Sequence, residues 1–201
     1  MRNSSARQEL SPTPVSEDRV RLVHSGSAIA GRNLELIIDA VAALPERFSL
    51  DLYLVPGNDG GAYMRTLRSR AEGHERIRFL DPVPSGDLPR VLNGYDLGVY
   101  WIQPINTNAR LALPNKFFDF VQGRLGVAVG PSEEMAPLVR QYELGPIAEG
   151  LELEQCIASL RDVTAQQVRQ WKANADAASL DLSFESDAEV ARGIMRDLLS
   201  R

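Results

Sequence analysis

The chain has 201 residues, a formal charge of −5 and 44% hydrophobic residues, enough to bury a full-sized core in one domain, at most two. Its 27 acidic and 22 basic side chains form no Lys and Arg cluster, which excludes a general nucleic-acid or membrane-surface binder and requires any phosphate to be held locally. A single cysteine, Cys156, rules out an internal disulfide and a cysteine-based metal site, and no apolar run approaches the roughly 20 residues that cross a bilayer. With no apolar signal-peptide core at the N-terminus, the expected location is the cytoplasm.

Residues 1–18, MRNSSARQELSPTPVSED, are polar, carry two prolines and lack periodicity, so a flexible linker or tail is expected there, with one domain over residues 19–201. From Val20 short apolar runs alternate with amphipathic segments: VRLVHSG, NLELIIDAVAAL, FSLDLYLVP, GAYMRTLRSRAEG and IRFLDPV. That alternation predicts βαβ units on a parallel sheet. In the first helix Leu34, Ile37, Ile38, Val41 and Leu44 recur at three- and four-residue spacing and form the face that packs on the sheet.

The pattern continues with a short helix near Leu88 to Asn93, a strand LGVYWIQP, a helix from Asn115 to Gln122, a strand GVAVGP, a helix near Met135 to Tyr142 and a strand stub GPIAE. About six parallel strands with right-handed crossovers define a doubly wound, Rossmann-like α/β sheet with helices on both faces. The region after Leu151 is helical, with Thr164 and Gln167 spaced as a capping box and Ser186 or Asp187 placed to cap the last helix.

Ligands of such sheets bind at the carboxyl ends of the strands, so the loops after the first and fourth strands carry the candidate chemistry. In HSGSAIAGRNLE, Gly26 and Ser27 leave the strand end open, Gly31 permits a tight turn and Arg32 precedes the helix, a set that can cradle phosphate or simply make a turn. The dinucleotide spacing G-x-G-x-x-G is absent, as is a Walker lysine. In LPNKFFDFVQGR, Phe117, Phe120 and Val121 form the apolar stripe and leave Asn115, Lys116 and Asp119 on another edge.

Lys116 and Asp119, three apart, read either as a surface ion pair worth ~0–1 kcal/mol or as a phosphate-binding cation and a ribose-binding carboxylate at a helix N-terminus. His24, inside a predicted strand and without a Ser or Cys partner, reads as a hydrogen-bonded core histidine. Asp59 or Asn58 is expected to cap the helix after PGNDGGAY, and Asp96 to satisfy backbone groups beside the fourth strand. No metal-ligand cluster is visible, and no metal or other cofactor is predicted.

The order of these segments, and LPNKFFDFVQGRLGVAVG and GRNLELIIDAV above all, resembles the C-terminal, donor-binding domain of GT-B glycosyltransferases of the group 1, retaining branch. The resemblance covers about Val20 to Leu160. It implies a nucleoside-diphosphate sugar as donor substrate, with Gly26, Ser27, Arg32, Asn115 and Lys116 around the diphosphate and Asp119 on the ribose. Ser27 stands where the family has an arginine, Arg32 where it has a lysine, and Leu111 where it often has the first of two acidic residues.

Asn106 and Asn108 are the candidates for polar sugar contacts in place of that acid, and Pro82 and Val83 belong to the loop expected to meet the base. Such enzymes work between two domains, so the resemblance also implies a partner: an N-terminal acceptor-binding half, without which the chain binds but does not turn over. The alternative is a non-catalytic nucleotide- or phosphate-binding regulatory domain.

Overall fold

The structure, a computed structural model, describes residues 4–199. Five strands, β1 (Val20–Ala28), β2 (Phe48–Pro56), β3 (Ile77–Leu80), β4 (Leu97–Tyr100) and β5 (Gly126–Val129), form one parallel sheet in the order β3-β2-β1-β4-β5. The stub GPIAE, expected as a sixth strand, contributes only an isolated parallel bridge from Ile147 to Val129. Helices cover both faces of a parallel sheet, and β4 and the edge strand β5 are buried at every position.

One face is covered by α1 (Leu34–Ala43), α2 (Ala62–Arg70) and later α7 (Leu153–Arg161), which join a core of Leu22, Leu50, Ile37, Ile38, Val41 and Leu160. The other carries α3 (Leu88–Leu92), α5 (Asn115–Gln122), α6 (Met135–Gln141) and α8 (Ala165–Ala178), around Val23, Phe117, Phe120, Val127 and Val139. A four-residue helix, α4 (Thr107–Arg110), interrupts the loop after β4, and α9 (Phe184–Leu199) ends the described chain. The apolar stripe read in α1 is fully buried.

Helix α5 is apolar over more of its circumference than the stripe suggests, because α8 covers its outer side: Phe118 is as buried as Phe117 and Phe120. Its Phe120 ring lies against Gly98 of β4, where any Cβ would collide with it. The sheet and α5 can therefore approach closely only with glycine at that position.

The capping box of α8 forms as spaced: Thr164 Oγ1 accepts from Gln167 N at 3.2 Å and Gln167 Oε1 accepts from Thr164 N at 2.9 Å. Asp59 caps α2 by accepting from Gly61 N and Tyr63 N. Asp96 accepts from Arg21 N at 2.8 Å and from the Arg21 guanidinium. Helix α9 starts earlier than expected, so Ser186 and Asp187 lie inside its first turn and Ser183 Oγ accepts from Ser186 N instead.

Residues 4–18 form no helix or strand, but they are laid along the body in an extended run instead of hanging free. Gln8 N donates to Gln122 Oε1, Arg124 Nη2 donates to Gln8 O, Asn93 Nδ2 donates to Ser11 O, and Lys172 Nζ donates to Thr13 Oγ1. A segment too polar to build its own core is held here by side chains from α5 and the ends of α3 and α5, which bond its backbone, and from α8, which bonds a hydroxyl, an outcome composition does not register.

Candidate functional site

Strand order reverses between β1 and β4, and the crevice at their carboxyl ends is where the predicted residues converge. Gly26, near the end of β1, has φ 135°, a backbone conformation that side chains resist. A Cβ there would also lie 2.5 Å from Lys116 Nζ, so the lysine amino group packs directly on the glycine backbone.

Lys116, the second residue of α5, is only 8% exposed. Its Nζ lies 4.6 Å over the Tyr100 ring and 3.4 Å from His24 Nε2. Burial, then repulsion from Arg32, lowers its pKa to about 7, with Asp119 acting the other way.

Around this amine the donors are positioned by loops that brace each other. Asn33, left-handed at the start of α1, donates from Nδ2 to Trp101 O at 3.2 Å, and the Ile105 side chain rests on Gly31. Arg32, half-buried on the same loop, makes no ion pair among the described residues, while its charge acts on Lys116, His24 and Tyr100.

Helix α5 begins after Pro114 with no side-chain cap; Phe117 N donates to Pro114 O at 3.0 Å, which leaves the amides of exposed Asn115 and of Lys116 without a capping partner. Lys116, Arg32, the start of α5 and a glycine that lets backbone approach closely are together able to hold an anion. Ser27 is half-buried near the end of β1 and, by alternation, on the strand face opposite Gly26.

The ion pair between Lys116 and Asp119 does not form. Lys116 turns inward to His24 and Tyr100, whereas Asp119 accepts from Ser5 Oγ of the N-terminal run. Burial raises the Asp119 pKa, opposed by the Ser5 hydrogen bond and by Lys116.

Asn106 is committed as the cap of α4, its Oδ1 accepting from Ala109 N at 2.8 Å, while Asn108 is exposed on that helix. Pro82 and Val83 follow β3, two strands away from β1 in the sheet order. Sequence reasoning missed Ser5, which nothing in the sequence marks, and missed the link from His24 to the site. That link was available from alternation, since His24 and Gly26 are two apart on β1 and share a face.

Among the described residues no group of three His, Cys, Asp or Glu side chains lies close enough together to hold a metal ion.

Fold and site together define a doubly wound domain whose Gly26, Arg32 and Lys116 gather at the switch point. No family model and no curated protein matches the chain. Solved structures do match. Sucrose-phosphate synthase from Thermosynechococcus elongatus superposes with a TM-score of 0.74 at 15% identity, over 98% of this chain and 52% of that one. HepE of Anabaena, solved with UDP and glucose, gives 0.71 at 16% identity, over 92% and 49%.

The isolated C-terminal domain of a group 1 family glycosyltransferase from Francisella tularensis gives 0.66 at 12% identity, over 89% and 96%. The chain thus has the fold of the C-terminal domain of group 1 GT-B glycosyltransferases, and it spans about half the length of the first two of these proteins.

Proposed function

We propose that the chain is the donor-binding half of a retaining glycosyltransferase and grips a nucleoside-diphosphate sugar. The observation that carries this reading is the Lys116 amino group packed on Gly26 at the switch point, beside Arg32 and the uncapped start of α5. Solved neighbours bound to UDP and a sugar support it: HepE with UDP and glucose, and pneumococcal O-GlcNAc transferase GtfA with UDP and GlcNAc.

In this reading Arg32, Lys116, Ser27 and the amides at Asn115 and Lys116 hold the diphosphate and stabilise the charge it gains on leaving. Such preorganised stabilisation is often the largest catalytic contribution. Asp119 takes the ribose hydroxyls, with Ser5 holding one carboxylate oxygen in place. Backbone at Pro82 and Val83 meets the base, and Asn108, with the amide nitrogen of Asn106, faces the sugar.

Turnover requires an N-terminal acceptor-binding half. In support, α9 exposes Val190, Ile194, Met195 and Leu198 at helical spacing, a stripe that no described element covers. We place the protein in the cytoplasm, consistent with its one buried thiol, Cys156; no described helix is long and apolar enough to cross a membrane.

A thermal-shift panel of UDP, GDP, ADP, CDP and their sugars tests the assignment. At about 100 times its dissociation constant a ligand adds about 2.7 kcal/mol, a rise of roughly 5–11 °C for a chain of this size. The assignment fails if no nucleotide moves the wild-type midpoint, or if Lys116→Ala and Asp119→Ala bind as the wild type does.

A further inference from the structure

His24 is fully buried on β1, one face-repeat before Gly26. Its Nδ1 lies 2.8 Å from Val99 O of β4, and since a carbonyl oxygen can only accept, Nδ1 carries the proton and donates. The ring is neutral, because burial and the charges of Lys116 and Arg32 hold its pKa well below the usual histidine range. A neutral ring protonated at Nδ1 has a bare lone pair at Nε2, and that lone pair faces Lys116 Nζ at 3.4 Å.

The ring is also stacked on Tyr100, with centroids 5.9 Å apart, and the same tyrosine presents its face to the Lys116 cation. Val99, Tyr100 and the lysine thus fix the imidazole from three directions. A histidine kept only for packing would leave its second nitrogen without a role; here that nitrogen meets the amine of the anion cradle.

We propose that His24 is the positioning residue of this cradle, its Nε2 lone pair aiming the Lys116 amino group at the point where a diphosphate enters between Gly26 and Arg32. The role of the anion as a donor diphosphate rests on the function proposed above; the coupling of the two side chains does not. Four further groups face the amine or act on its charge: Gly26 of β1, Arg32 of the following loop, Tyr100 of β4 and Asp119 of α5. With its pKa at about 7 the amine is shared between its two protonation states near neutrality, so an entering phosphate draws a proton onto it from solvent.

The full chain, labelled on lysine and histidine, provides the test by NMR. Two-bond proton–nitrogen spectra of the ligand-free wild type should show His24 protonated on Nδ1 only; a proton on Nε2 overturns the proposal without any variant. His24→Asn keeps a donor for Val99 O while its own acceptor falls short of the position of Nε2, and should lower the Lys116 titration midpoint by about one unit, since hydrogen bonds to charged groups are the stronger ones.

His24→Gln, which reaches as far as Nε2 with an acceptor, should restore the midpoint to within a few tenths of a unit. A Lys116 midpoint that ignores both substitutions in folded protein refutes the positioning role. Calorimetry with UDP at pH 8, in buffers of different ionisation enthalpy, should show net proton uptake in the wild type, reduced in Lys116→Arg. If UDP does not bind while Lys116 still follows His24, the donor assignment falls and the positioning role stands.

Discussion

Replacing Lys116 by methionine tests the buried amine through stability alone, before any ligand is known. An unfolded chain keeps a lysine protonated up to about 10.4, whereas in the folded chain burial and Arg32 bring Lys116 to about 7. Between those values the unfolded state binds more protons, so stability rises with pH. The cost of burying the charged amine is fully present below about 7 and is relieved above it.

One full proton of difference corresponds to about 1.4 kcal/mol per pH unit; since the amine is half-titrated at pH 7, the gain from pH 7 to 9 is about 2.3 kcal/mol. For a chain of this size that is a rise of roughly 5–9 °C in Tm. Lys172, lowered to about 8 by burial despite the nearby Asp96 carboxylate, adds a similar slope, but only from about 8 upward. Tyr63 and Tyr95, whose pKa values burial pushes up, lose their contribution only above the ordinary tyrosine range.

The decisive window is therefore pH 7 to 8. Urea unfolding of the wild type should gain about 1 kcal/mol across it, while Lys116→Met should be nearly flat and more stable than the wild type at pH 7. Equal slopes for the two proteins in that window would mean that Lys116 titrates normally, and the buried-amine geometry would have to be abandoned.

Gly26→Ala should combine two effects: strain at φ 135° and displacement of the Lys116 head, with stability falling by about 1–3 kcal/mol and UDP affinity falling at least tenfold by calorimetry. In the double variant with Lys116→Ala the clash is gone and the strain remains, so recovery of full stability there would show that the backbone was never strained. Thr164→Ala, at the cap of α8 away from the crevice, should cost about 1 kcal/mol in urea unfolding and leave nucleotide binding unchanged.

The fold was legible where one physical pattern decides it. Periodicity in α1 and the continuous apolar runs of β4 and β5 follow from burial of one helix face and of both strand faces, and a single sequence displays both. The N-terminal run was not legible, because its order comes from distant elements: Gln122, Arg124 and Asn93 bond its backbone and Lys172 donates to the Thr13 hydroxyl. The sixth strand fell short for a related reason: after Ile147 the chain departs toward Gly150 and the start of α7, and only one bridge to Val129 remains.

The site shows the same division at finer scale. That a lysine opens α5 and a carboxylate follows one turn later is plain from the sequence, and on an exposed helix those two would pair. In the folded chain Gly26 leaves a space that a lysine stem can fill, and the His24 lone pair and Tyr100 ring lie at its end, so the amine leaves the helix surface and Asp119 is free to take Ser5. Separating the pair has a chemical consequence. An exposed Lys–Asp pair would neutralise itself in water, whereas a desolvated amine opposed by Arg32 lacks a close counter-ion and gains most from an anion that enters between them. On the function proposed above, the cost of leaving the crevice without a ligand and its affinity for a diphosphate share one cause, the burial of Lys116 against Gly26.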